Sequence, residues 1–128
     1  MKLLLDTCTF LWSIEGGASI SEAARAALAE PANAVYLSSV SAWEIAAKHA
    51  LGKLPLPEAP ERYVPGQRRA RGIDPLPLDE EAALHLSRLP VLHRDPFDRM
   101  LICQALIGGL TLVTPDPDIA RYPVRTLW

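Results

Sequence analysis

The sequence predicts an α/β fold: a central parallel sheet of four to five strands flanked by helices. Short apolar runs alternate with helical patterns, and capping residues open those patterns. At 49% apolar and 22% charged residues, the chain has the composition of an ordinary packed domain. Its 128 residues match the span of one core, so a single domain over residues 1–128 is expected.

In chain order, Lys2–Leu5 is an apolar run ending at an acid, and Ala34–Ser38 and Leu110–Thr114 read as buried strands on the same grounds. Ile73–Leu78 and Val124–Leu127 are weaker strands. Ser19-Ile-Ser-Glu22 has the form of a capping box before an Ala-rich helix that Pro31 closes. Ser41-Ala-Trp-Glu44 reads as a second box, with Gly52 as the stop. Leu54–Pro77 contains six prolines and reads as a connector with room for a short helix. Asp79 caps a helix running to about Arg88. Asp95-Pro96 opens the last helix, with Pro at its first position, and Gly108-Gly109 ends it. Such alternation needs right-handed crossovers, and sites in these sheets form at the carboxyl ends of strands.

Several function classes are excluded early. No segment reaches the ~20 apolar residues of a membrane helix, and Asp6 interrupts the only signal-like start, so a cytoplasmic chain without membrane contact is expected. Cys8 and Cys103 lack disulfide, zinc or redox spacing and read as core thiols. A net charge of −2 excludes a basic nucleic-acid coat, yet all thirteen cations except Lys2, Lys48 and Lys53 are arginine, the side chain that best grips phosphate.

Four carboxylates fall where the strand edge should be. Asp6 ends the first strand, Asp116 follows the Leu110–Thr114 strand, and Glu44 and Asp98 stand at the third position of the helices read here. Each has a bland explanation. Glu44 and Asp98 suit helix caps, and Asp116 and Asp118 suit a Pro-flanked turn. Together, without Lys or Arg at the same places, they would repel unless a hard cation neutralised them, and oxygen-only ligands favour Mg²⁺ or Mn²⁺. Such an ion also takes phosphate oxygens, so hydrolysis of a nucleic-acid backbone is the natural reaction. Thr7 and Thr114 flank the strand-end acids and either orient them or satisfy local backbone.

The runs Leu3-Leu-Leu-Asp-Thr7, Val40-Ser-Ala-Trp-Glu-Ile45 with Lys48 and Gly52-Lys-Leu54, His93-Arg-Asp-Pro-Phe-Asp-Arg-Met-Leu101 and Leu112-Val-Thr-Pro-Asp116 resemble PIN-domain ribonucleases of the VapC toxin type. The likeness covers nearly the whole chain, in order. It implies a PIN-like fold and Mg²⁺- or Mn²⁺-dependent cleavage of cellular RNA, leaving 5′-phosphate and 3′-hydroxyl ends. It also implies neutralisation by a cognate VapB-like antitoxin, and a homodimer. Asp6, Glu44, Asp98 and Asp116 match the family's metal-binding acids, and Asp95 matches a further acid that otherwise serves as the helix cap. Relatives often carry His where Cys8 stands and a small residue in place of Cys103, and Glu58–Gly72 has no counterpart.

Arg62, Arg68, Arg69 and Arg71 could track RNA phosphates beside the acids, or form a solvated run; Arg94 and Arg99 could approach the scissile phosphate or pair with neighbouring acids. Lys48 follows Glu44 at ion-pair spacing. His93 suits a structural hydrogen bond rather than a general base, and Trp12, Trp43 and Trp128 suit core or dimer packing over base stacking. The rival function is a catalytically inactive PIN-fold module that binds RNA or protein. A receiver domain is disfavoured, because no Lys follows Lys53.

Overall fold

The computed structural model describes residues 1–128. Five strands, β1 (Lys2–Leu5), β2 (Ala34–Ser38), β3 (Asp74–Leu76), β4 (Thr111–Val113) and β5 (Thr126–Leu127), form one sheet in the order β3-β2-β1-β4-β5. Every pairing is parallel, with Leu4 of β1 opposite both Tyr36 of β2 and Leu112 of β4. Six helices connect or flank them: α1 (Thr7–Ile14), α2 (Glu22–Ala29), α3 (Ser39–Ala50), α4 (Pro60–Ala70), α5 (Glu80–Leu84) and α6 (Pro96–Gly108).

Alternation along β1 divides the core. Leu3 and Leu5 face Phe10, Ile45, Val64 and Val113 on one side, while Leu4 faces Leu101, Ile102, Leu112 and Ile119 on the other. Both faces of the sheet are therefore covered, as parallel strands require. From β1 the chain winds outward through β2 and β3, then returns to β4 on the opposite flank. This reversal opens a crevice beyond the carboxyl ends of β1 and β4, where doubly wound sheets place their ligands.

Several local expectations change. The strand expected over Ile73–Leu78 shortens to three residues, because Pro75 and Pro77 lack the N–H a longer ladder needs; Pro75 is tolerated since β3 is an edge. The strand expected over Val124–Leu127 shortens to two. The cap of α2 is Ser21, not Ser19, and the cap of α3 is Ser38, not Ser41, so α3 begins three residues earlier than its apparent box. The Pro-rich connector holds an eleven-residue helix, α4, which starts with Pro60 and tolerates Pro65 in its second turn. Asp79 and Asp95 cap α5 and α6 as expected, α5 passing into a 3-10 turn through Arg88. Gly109 closes α6 at φ 65°, a left-handed conformation that favours glycine. No helix is long and apolar enough to cross a membrane.

Candidate active site

The crevice is built from the ends of the elements around β1. Asp6 is the first residue beyond β1 and also the N-cap of α1: its Oδ1 accepts from the backbone N–H of Thr9 at 2.7 Å. Its Oδ2 accepts from the Thr114 hydroxyl, just past β4, at 2.5 Å. Thr114 also accepts from the N–H of Asp116 at 3.1 Å, tying the two strand-end acids to one hydroxyl. Asp116 shapes its own turn as well, its Oδ1 accepting from the N–H of Asp118 at 2.9 Å.

Glu44 enters from α3. With Ser38 as the cap, Glu44 lies in the second turn, so the expectation that it serves as a capping carboxylate is wrong. It is buried, only 7% exposed; Oε1 accepts from the Thr7 hydroxyl at 2.7 Å and Oε2 pairs with Lys48. The acids are thus not free of cations, since Lys48 sits on one of them. Asp98, in the first turn of α6, does not reach back to the cap either. That task falls to Asp95, whose Oδ1 accepts from the N–H groups of Phe97 and Asp98 at 2.9 and 3.1 Å.

Asp98 is held instead from outside the helix. Its Oδ2 lies 3.1 Å from Nε2 of His93, whose Nδ1 lies 2.8 Å from the Tyr122 hydroxyl. The backbone N–H groups of Leu92 and His93 and one guanidinium N–H of Arg99 all point at that hydroxyl, at 3.2, 3.2 and 3.0 Å. Its lone pairs are therefore engaged and its proton is left for His93 Nδ1, which makes Nε2 the N–H that donates to Asp98. Tyr122 carries no motif and lies more than twenty residues from Asp98, so it was not singled out from the sequence. A lone buried Tyr after a Pro-Asp-Pro-Asp turn offers no signal of its own.

Electrostatics bring the acids together. Burial pushes the carboxyl of Asp6 up, against the Thr114 and Thr9 hydrogen bonds, with the charge of Asp116 adding to the rise. Burial likewise pushes Asp98 up, to about 6; His93 opposes this, and the charges of Asp95 and Asp116 reinforce it. The thiol of Cys8 is pushed up by burial and then by the charges of Asp6, Glu44 and Asp98, so the fields of three acids overlap there. Cys8 is nonetheless exposed, contrary to its reading as a core thiol; Cys103 is buried as expected. No three His, Cys, Asp or Glu side chains are close enough to form a ready cation cage.

The arginines largely miss the crevice. Arg99 is only 9% exposed and its guanidinium holds the carbonyl of Pro90 and the Tyr122 hydroxyl, so it is part of the support for His93 rather than a phosphate contact. Arg68, Arg69 and Arg71 end α4 immediately before β3, which puts them at the amino edge of a parallel sheet, opposite the acids. Arg68 is further tied to the carbonyl of Ile73 and Arg71 to the side chain of Gln67. Arg62, in the first turn of α4, is exposed at the other end of that helix. Trp12 and Trp128 pack together, ring centres 5.9 Å apart, whereas Trp43 is 71% exposed and is not core.

A parallel five-stranded sheet with acids gathered at its switch point defines a class, and a family model confirms the class: the PIN domain model matches residues 3–125, and the chain belongs to that family. Within it the chain is of the VapC type. It is 44% identical over 103 residues to Ribonuclease VapC16 of Mycobacterium tuberculosis (strain ATCC 25618 / H37Rv), covering 80% of this chain and 69% of that protein. Among solved structures, the DNA-bound VapBC of Salmonella typhimurium superposes with a TM-score of 0.68 at 26% identity, covering 98% of this chain and 96% of that one. VapBC2 from Rickettsia felis, bound to a DNA fragment from its promoter, gives 0.73 at 15% identity over 98% and 97%, a likeness of fold.

Proposed function

We propose that this chain is a divalent-metal-dependent endoribonuclease, the toxin half of a toxin–antitoxin pair, acting through Asp6, Glu44, Asp98 and Asp116. The observation that supports the reading is that Asp6 and Asp98 are both raised by burial and both feel the charge of Asp116. Like charges gathered in a partly buried place call for a counter-charge, and Lys48 answers only Glu44. The donors are all oxygen, which suits Mg²⁺ or Mn²⁺, and their open spacing suits an ion that keeps several waters and takes phosphate oxygens. When bound, such an ion makes water a stronger nucleophile and offsets charge building on phosphorus.

The chain's own residues prepare the site. Thr114 fixes one oxygen of Asp6, Thr7 fixes one of Glu44, and His93 fixes one of Asp98, so three carboxylates are each oriented by a hydrogen-bond donor. Asp95 is committed to capping α6 through Oδ1 and adds negative field to Asp98. RNA is the substrate and a VapB-type antitoxin the protein partner, a reading supported by the relatives' own names.

The test is cleavage of total RNA by purified, antitoxin-free protein with Mg²⁺, Mn²⁺ or EDTA, beside Asp6→Asn. Asn keeps the N-cap of α1, so this variant should fold while losing cleavage. Discrete cuts that need the metal and vanish in the variant are expected. Undiminished cutting by folded Asp6→Asn overturns the assignment of the acids.

A further inference from the structure

We propose that Lys48 is a substrate-binding residue, its ammonium holding a phosphate of the RNA strand that lies at the acids. The proposal rests on the nuclease reading and supplies the cation that the arginines do not bring to the crevice. Three ion pairs form in the structure: Lys48 with Glu44, His93 with Asp98 and Arg121 with Asp118. Of the thirteen lysine and arginine side chains, Lys48 alone pairs with one of Asp6, Glu44, Asp98 and Asp116.

Direct contact places it at the site. Nζ of Lys48 donates to Oε2 of Glu44, whose Oε1 accepts from the Thr7 hydroxyl. The thiol of Cys8, in the first turn of α1, feels the charge of Lys48 together with those of Asp6, Glu44 and Asp98, and Lys48 in turn feels Asp95. The ammonium therefore stands where the fields of acids from the starts of α1 and α6 and from α3 overlap. A phosphate oxygen that approaches Glu44 approaches Nζ as well, since the two groups are already in contact.

Donors and charge select the occupant. An ammonium carries three N–H donors, Glu44 takes one, and no other group of the protein takes the remaining two. The Lys48 side chain is 49% exposed against 10% for Glu44, so the two spare donors are open to a ligand from solvent. An ion pair at this helix spacing accounts for one N–H and leaves the other two unexplained. Four carboxylates against one ammonium keep the site negative, and one divalent ion does not bring it to neutrality. A polyanion entering such a field needs a cation at the point of contact. Lysine suits that task, because a point charge on a flexible four-carbon stem can turn from carboxylate to phosphate while its helix stays still.

The salt dependence of RNA binding tests it. Each phosphate contact on a single strand adds about 0.7 to the slope of log affinity against log salt concentration. In protein with Asp6 intact, Lys48→Gln should raise KM for a single-stranded oligoribonucleotide roughly tenfold and make that slope shallower by about 0.7. Lys48→Arg should keep the slope and most of the affinity, because it keeps the charge. Fluorescence anisotropy of labelled RNA on Asp6→Asn protein, with and without Lys48→Gln, reads the same slope where cleavage is too slow to follow. Mn²⁺ affinity, measured by calorimetry without RNA, should not fall in Lys48→Gln, since the charge that competes for Glu44 is gone. An unchanged slope in folded Lys48→Gln overturns the proposal and leaves the nuclease reading standing; a drop in Mn²⁺ affinity beside it would make Lys48 an orienting partner of Glu44 and nothing more. Absence of cleavage by the unsubstituted protein would instead count against the nuclease reading, and the anisotropy slope would still decide the role of Lys48.

Discussion

Nε2 of His93 stands 3.1 Å from Oδ2 of Asp98, and the hydroxyl of Tyr122 fixes which nitrogen carries the proton. Asp98 thus owes its orientation to a residue twenty-four positions away, beyond β4. Removing His93 should free the carboxylate without removing it. His93→Ala is expected to weaken cleavage roughly 10- to 100-fold, the usual range for a group that orients a metal-binding carboxylate. Tyr122→Phe should weaken it less and also lower stability by about 1 to 3 kcal/mol, because buried N–H groups lose their acceptor. Cleavage rates and denaturant midpoints for both variants check this; full activity in His93→Ala would sever the two residues functionally.

Stability should respond to pH through the same acids. Asp98 titrates at about 6 in the fold against an ordinary 3.8, so between those values the folded state binds more protons than the unfolded one. Stability contributed by this group therefore falls as pH rises through that window, and Asp6, also raised, acts in the same direction. The metal-free protein should melt higher near about pH 5 than near about pH 7.5, and Asp98→Asn should flatten the slope. Mg²⁺ or Mn²⁺ at the higher pH should recover the lost Tm, since a ligand of the folded state stabilises it. A melting curve that climbs with pH in the metal-free protein contradicts this account.

Thr114 links Asp6 and Asp116 through one hydroxyl. Thr114→Val keeps the shape and removes both bonds, so metal affinity should drop roughly 10- to 100-fold, whereas Thr114→Ser should stay close to the parent. Titration calorimetry with Mn²⁺ separates the two; equal affinities would make the hydroxyl a bystander.

The amino-edge arginines should be dispensable for cutting. Arg69→Glu reverses an exposed charge on the far side of the sheet from the acids and is expected to change cleavage by less than about twofold at moderate ionic strength, where screening acts over about 10 Å. A large loss would bring α4 back as a path for RNA.

Much of this fold could be read from the chain, and the misreadings have physical reasons. Apolar runs and Asp-capped helices announced β1, β2, β4, α5 and α6. Helix α1 was missed because Thr7-Cys-Thr-Phe-Leu-Trp12 is rich in β-branched and aromatic residues with modest helix propensity, and its cap, Asp6, reads equally well as a strand-end acid. Ser41-x-x-Glu44 imitates a capping box inside a helix already begun at Ser38, so Glu44 looked like a cap when it is a buried second-turn carboxylate. The four acids stood out, Asp6 and Asp116 as charge at strand ends and Glu44 and Asp98 as carboxylates in early helix turns. Their supports did not, since Tyr122 and Arg99 matter through distances that no local pattern records. Arg99 illustrates the hazard: an arginine one place after Asp98 looks like a phosphate ligand, yet the helical rotation of about 100° per residue turns it inward.

Asp6 serves two masters, and this bears on how relatives of this chain should be sorted. An aspartate that caps α1 and accepts from Thr114 is favoured by the fold itself, in a chain that has abandoned catalysis as in one that has not. Its presence in a homologue is therefore poor testimony of an active enzyme. Glu44 caps nothing, and a chain freed from cutting RNA could trade it, together with Lys48, for two apolar side chains of similar size at little expense to the fold. Glutamate at that second turn of α3 is the better marker for telling working members of the lineage from retired ones.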